Sequence, residues 1–357
     1  MMAETVLTLP GSEAKSTTLE YKELTYWGAV WGKLRRDKIT LAAFGLGLFM
    51  IVITLAAPWI AADVLGFDPT DTNLRQRNDP PTWAEAAWPK FQDFTKSCQQ
   101  EAGCVWSLWG AIISESASGL RACWRSGPGE CHWLGTDDAG RDVLARGLYG
   151  GRISLRIGAF VAAISMSLGI VMGLISGFYA ATWIDDVING IIMTLGSIPL
   201  LFLLIILAGT FSFFRTPFGL SFMLGIFGWM GVSRLLRGQL FSIREREYIL
   251  ASRAIGVSTW RIMFRHMLPN VSSIIIVVAV FDVAGAIIAE AGLSFLGVGI
   301  GPPLPSWGNM MNGSLGSFTN APWLVLTPGI FIFLTTLSIY LVGDGLRDAL
   351  DPWLKNE

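Results

Sequence analysis

Two acidic residues, Asp282 and Glu290, stand in a run, 267–297, that carries no other charge. An Asp carried into hydrocarbon costs roughly 2.5–3.5 kcal/mol on insertion scales, and such groups usually face a cavity. There they could hold an amine or relay a proton. Asp282 is the deeper of the two. Glu290 has a second reading, at the end of the run, bonded to backbone at an interface. Four cysteines, Cys98, Cys104, Cys123 and Cys131, fall in one segment. They could form disulfides or bind a soft metal. Their spacing is not CxxC and no His pair accompanies them, which argues against zinc. Four cysteines allow three pairings, and the sequence leaves all three open.

No catalytic set accompanies these residues. There is no G-x-x-x-x-G-K-[ST] loop, so the chain itself is not expected to hydrolyse ATP. H-E-x-x-H and G-x-S-x-G are also missing from the sequence, and its two histidines are His132 and His266. The expectation is a non-catalytic chain that binds no metal or cofactor of its own.

The elements that position these groups follow from composition. Of 357 residues 52% are hydrophobic and 15% charged, where a soluble domain carries about 25% charged residues. Mean hydropathy is +0.52. This much apolar surface requires a lipid bilayer. A net charge of -1 gives no sign of a nucleic-acid partner. Forty glycines suit closely packed membrane helices.

Six apolar runs predict six spanning helices, at 39–62, 157–184, 187–214, 216–233, 267–297 and 322–343. Strand-like alternation is absent, which argues against a β-barrel. Lys33, Arg35, Arg36 and Lys38 precede the first run. Arg234, Arg237, Arg244, Arg246, Arg253, Arg261 and Arg265 follow the fourth. With six spans both clusters share one side, expected to be the cytoplasm, with both termini there. Arg141, Arg146, Arg152 and Arg156 dissent from this bias on the outer side. The first run is too long, and its lead too long, for a cleaved signal peptide.

The expected organisation is an N-terminal segment over 1–38 and a first span over 39–62. An extracytoplasmic loop over 63–152, with a cysteine-bearing insertion, follows. A five-helix core occupies 153–343 with an inner connector at 234–270, and a tail occupies 344–357. Leu24, Trp27, Val30, Trp31 and Leu34 predict a short helix lying in the inner membrane surface. The outer loop carries Trp83, Trp88, Trp106, Trp109 and Trp124, suited to a small subdomain or to the headgroup level.

Ser165, Gly169, Gly173 and Gly177 recur every fourth residue and line one helix face with small groups. That face serves static packing or sliding against a partner subunit. Pro199 should kink the third span. Asp185 and Asp186 are expected to be solvated or to cap a helix, with contact to a partner as the sharper alternative.

The connector carries the most specific pattern. Arg246, Glu247, Tyr248, Ile249, Leu250, Ala251, Ser252, Arg253, Ala254, Ile255 and Gly256 form a polar helix ended by a glycine. Trp260, Met263, Phe264 and Met267 then recur at helical spacing, and Leu268-Pro269 marks the next boundary. This resembles the EAA-type loop of ABC importer permeases. Ala251, Ser252, Gly256, Leu268 and Pro269 match it, Leu250 replaces the leading Glu, and Glu245 and Glu247 lie close by.

Three further stretches are similar to the C-type permeases of dipeptide, oligopeptide and nickel importers. The first runs from His132 through Gly135, Asp137, Gly140, Arg141 and Asp142 to Leu155. The second runs from Glu290 through Gly292, Leu293 and Gly299 to Trp307 and Gly308. The third runs from Gly343 through Asp344, Arg347 and Asp351 to Pro352. The resemblance covers about 131–352.

It implies an all-α polytopic membrane protein of the type I ABC importer permease fold, in a bacterial inner membrane. It implies a second homologous permease subunit and two cytoplasmic ATPase subunits that hold ATP and Mg2+. An extracytoplasmic substrate-binding protein completes the set. Glu247, Leu250, Ala251, Ser252, Arg253, Gly256, Leu268 and Pro269 would make the ATPase-coupling loop. Asp282 and Glu290 become candidates for the translocation path, in contact with a peptide amine. Di- or oligopeptides are the expected substrate and nickel or another small solute the alternative. A secondary transporter is a more distant reading, since no internal repeat is visible.

Overall fold

In the computed structural model the described residues are 26–85, 88, 123 and 129–350. Apart from one isolated bridge between Thr136 and Asp142, no β structure occurs among them. Five helices are long and apolar enough to cross a membrane, and six if one bent pair is a single broken span.

Helix α1 spans Tyr26–Arg36. Val30 is buried, and together with Leu34 it packs on Leu346 and Leu350 at the far end of the chain. Trp31 stays exposed with the Arg35 guanidinium 5.0 Å from its ring. Asp37 then caps α2, Lys38–Leu55, by accepting from the Ile39 amide. The Thr40 hydroxyl and the first amides of α2 hold the Asp37 carboxyl below its ordinary value. Much of α2 stays apolar on the outside, with Ile39, Leu41, Phe44, Leu48 and Phe49 exposed, as a lipid-facing helix requires.

Helix α3, Val143–Phe178, begins well before the uncharged run at 157. Asp142 starts it by accepting from the Ala145 amide at 2.7 Å. Arg141 and Arg146 pair with Asp137 at 2.7 and 3.3 Å, and the Arg152 guanidinium lies 5.9 Å from the Tyr149 ring. At about 1.5 Å per residue the 36-residue helix outspans a hydrocarbon core of about 30 Å. The helix is therefore longer than an upright crossing needs.

The third run is broken rather than kinked. Helices α4, Trp183–Gly196, and α5, Leu200–Thr210, meet at 77°. Pro199 takes the N-cap of α5, where it needs no amide partner. Helix α6, Pro217–Arg244, continues past the predicted end at 233. The small face of α3 closes on it. A Cβ at Gly169, Gly173 or Gly177 would lie 2.5, 2.8 or 2.6 Å from the Cβ of Val232, Leu236 or Leu240. The stripe thus serves packing within this subunit, the static one of the two readings.

Helix α7, Glu247–Ala254, is followed by continuous helical turns from Thr259 into α8, Ser272–Phe295. Pro269 marks no chain break. A π turn over Ile262–Met267 and a 3-10 turn over Leu268–Val271 re-space the backbone around it. Helix α9, Trp323–Leu350, holds Pro328 inside and carries helix beyond residue 343.

Before α3, Cys123 and Cys131 are joined by a disulfide with Cα atoms 5.5 Å apart. Cys98 and Cys104 lie outside the described residues, as do Trp106, Trp109 and Trp124. The Trp83 indole donates to the Trp133 carbonyl at 2.8 Å, and Trp88 meets Trp323 edge-on at 4.9 Å. No cluster of metal-ligating side chains occurs among the described residues.

Candidate coupling site and membrane carboxylates

Helix α7 is short, and its sequence explains both ends. Arg246 is extended at the N-cap, and Glu247 stands in the first turn, where the helix dipole favours a carboxylate. Gly256 adopts φ 76°, and no atom lies within 4 Å of where its Cβ would be. Glycine is needed there for the left-handed backbone rather than for space. The Gly256 and Val257 amides close the turn on the carbonyls of Arg253 and Ser252, both at 3.0 Å.

One side of α7 is anchored. Ile249 is fully enclosed by a cluster that includes Leu240, Ile243, Ile262, Met263 and Met267. Three apolar side chains around it are bare: Leu250 on α7 is 51% exposed, Ile255 at its C-cap 80%, and Trp260 in the next helical turn 64%. The Arg253 guanidinium lies 4.4 Å from the Phe178 ring. Partial burial, then Arg244, holds its pKa below the ordinary arginine value, though a guanidinium stays charged. Glu247, Leu250, Ala251, Ser252, Arg253 and Gly256 thus share one helix and its cap. Leu268 and Pro269 lie in the following helical run, and Leu268 packs on the cluster beneath.

The two membrane carboxylates differ from each other. Asp282 is half-buried and accepts from the Ser165 hydroxyl of α3. Glu290 is 0% exposed, and its partners are side-chain hydroxyls rather than backbone. It accepts from Ser154 at 2.9 Å and Ser294 at 2.7 Å. Ser154 in turn accepts from the Trp307 amide at 3.3 Å, and Ser294 from the Ile300 amide at 3.2 Å. Glu290 therefore ties α3, α8 and the loop beyond α8 into one buried knot and opens onto no channel within the subunit. Glu290→Ala leaves these hydroxyls without their acceptor, which costs about 1–3 kcal/mol. A lowered thermal midpoint in detergent, with Glu290→Gln milder, is the expected reading.

Sequence reasoning missed Asp185. It is 1% exposed rather than solvated, paired with Arg237 at 2.7 Å, while Asp186 is exposed. The available signal was Arg237 itself, a cation among the residues of a spanning helix.

Residues 169–356, more than half of the chain, match the family described as the binding-protein-dependent transport system inner membrane component. The chain belongs to this family. Residues 25–81 also match the N-terminal transmembrane domain of oligopeptide transport permease C. The permease is 39% identical over 228 residues to the oligopeptide transport system permease protein OppC of Bacillus subtilis, covering 64% of this chain and 74% of the relative. OppC of Mycobacterium tuberculosis H37Rv is 43% identical over 225 residues, 63% of this chain and 77% of the relative. The dipeptide transport system permease protein DppC of Alkalihalophilus pseudofirmus is 40% identical over 233 residues, 64% and 75% respectively. The permease is accordingly a multi-pass inner-membrane subunit of an ABC importer, of the C-type.

Proposed function

We propose that this permease carries di- or oligopeptides inward, and that α7 is where a separate ATPase grips it. The exposed apolar side chains of Leu250, Ile255 and Trp260 carry the reading. They lie in the arginine-rich connector, outside the apolar runs, where exposed apolar side chains need a protein partner. In this scheme the connector and both termini face the cytoplasm. A second permease subunit completes the pore, and two ATPase subunits hold ATP and Mg2+. A binding protein delivers peptide to the opposite face, which bears the disulfide-bonded segment before α3. The names of the relatives, oligopeptide and dipeptide permeases, support the substrate class. Asp282 is the better candidate to meet a peptide amine, since Glu290 is sealed.

ATP binding would then drive the two α7 helices together and switch the pore between its two openings. Inverting a 1:99 population takes about 5.5 kcal/mol of differential stabilisation. Ile249, fully buried, anchors the helix that would bear this load. Deleting residues 251–256 is expected to abolish ATPase copurification and uptake of a labelled tripeptide together. ATPase retained on the deleted permease contradicts the docking role.

A further inference from the structure

The turn between α3 and α4 is held by more polar contacts than a short connector needs. Asp185, in the first turn of α4, receives the Arg237 guanidinium of α6 as a two-pronged fork, Nε and Nη2 each at 2.7 Å. The Ser176 hydroxyl of α3 donates to the same carboxylate. So do the Asn189 amide at 2.6 Å and the Ala181 backbone N–H at 3.1 Å. One buried carboxylate thus fastens three helices.

The same turn is gripped from the connector. Arg244, at the end of α6, donates to the carbonyls of Ala180 at 2.8 Å and Phe178 at 3.4 Å. Arg253 of α7 lies over the Phe178 ring. Ala181, between these grips, holds φ 61°, a conformation seldom taken by a residue with a side chain. Past the turn, α4 packs Ile188 and Ile192 beside Trp229 of α6, whereas in α5 only Leu204 and Ala208 are buried and Leu200, Leu201, Phe202 and Ile206 are exposed. The span is bent by 77° at its break. The span is thus fixed by polar contacts at the turn and by packing along α4, and is least enclosed in α5.

We infer that the Asp185–Arg237 junction is a positioning device that carries displacement of α7 into the broken span α4–α5. The inference rests on the reading that α7 docks the ATPase. The fork is what suits the pair to the task. Two parallel bonds fix direction as well as distance, and a lysine would keep the charge while losing the direction.

The test uses the whole transporter, with both permease subunits, the ATPases and the binding protein, reconstituted in vesicles. Uptake of a labelled tripeptide and ATP hydrolysis are measured in the same preparation for the unaltered protein, Asp185→Asn and Arg237→Lys. The expected result is ATPase bound and turning over, with peptide moved per ATP hydrolysed down at least about five-fold, the low end of ordinary coupling. An unchanged ratio overturns the inference, whether both rates hold or both fall in proportion, and leaves docking intact. If Asp185→Asn does not accumulate, Arg237→Lys, which preserves charge, decides alone by the same ratio. Failure of the unaltered permease to hold its ATPase sinks the docking reading instead.

Discussion

Replacing Ile255 and Trp260 with Asp releases the ATPase while leaving the permease folded. Both side chains are largely exposed, at 80% and 64%, and the internal contact given up is that of the Trp260 ring with Phe264, 4.1 Å between centroids. Burying a large apolar side chain against a partner contributes about 1.5–3 kcal/mol. Two such losses weaken binding by roughly 10²- to 10⁴-fold, more where the pair forms the centre of the interface. Titrating purified ATPase onto permease in nanodiscs reads the affinity, and the thermal midpoint reads the fold. Unaltered affinity contradicts the docking face. A collapsed midpoint contradicts the exposure on which the prediction rests.

Gly169→Leu together with Gly173→Leu is expected to do the opposite, destroying the subunit without touching its docking face. A Cβ at these positions falls 2.5 and 2.8 Å from side-chain carbons of Val232 and Leu236, with the Trp229 and Ser233 carbonyls behind. The α3 and α6 backbones must separate to admit it. Overpacking costs typically about 1–3 kcal/mol per site. In a membrane the loss is not recovered from the hydrophobic effect, because close van der Waals packing is itself what joins the helices. Membrane yield and thermal midpoint should both fall sharply. Gly190→Ala, where no atom lies within 4 Å of a Cβ, is the control that should leave them unchanged. A stable double variant contradicts the α3–α6 contact.

The spans were legible because uncharged runs of the right length admit few other structures. Gly256 was legible because a helix followed by glycine predicts a left-handed end, observed at φ 76°. The start of α3 was hidden by Arg146, Arg152 and Arg156, whose charges hold the uncharged run back to 157. The pairing of Arg146 with Asp137 needs a folded loop. Asp185 read as a surface acid because Arg237, 52 positions away, was counted toward the charge bias that orients the chain. Glu290 was equally opaque. Its partners are hydroxyls, with Ser154 136 positions distant, and serines leave no mark on hydropathy. The disulfide follows from proximity in space, and no spacing rule chooses Cys123 with Cys131 over the two other arrangements.

The direct measurement is chemical access to α7. An Ile255→Cys permease is treated with a membrane-impermeant maleimide, once on intact cells and once on inside-out vesicles, against the unaltered protein as background. The expected result is reaction in the vesicles, blocked when ATPase is added back, and none above background on cells. Reaction on intact cells would place α7 on the outer side of the membrane, out of reach of any cytoplasmic ATPase.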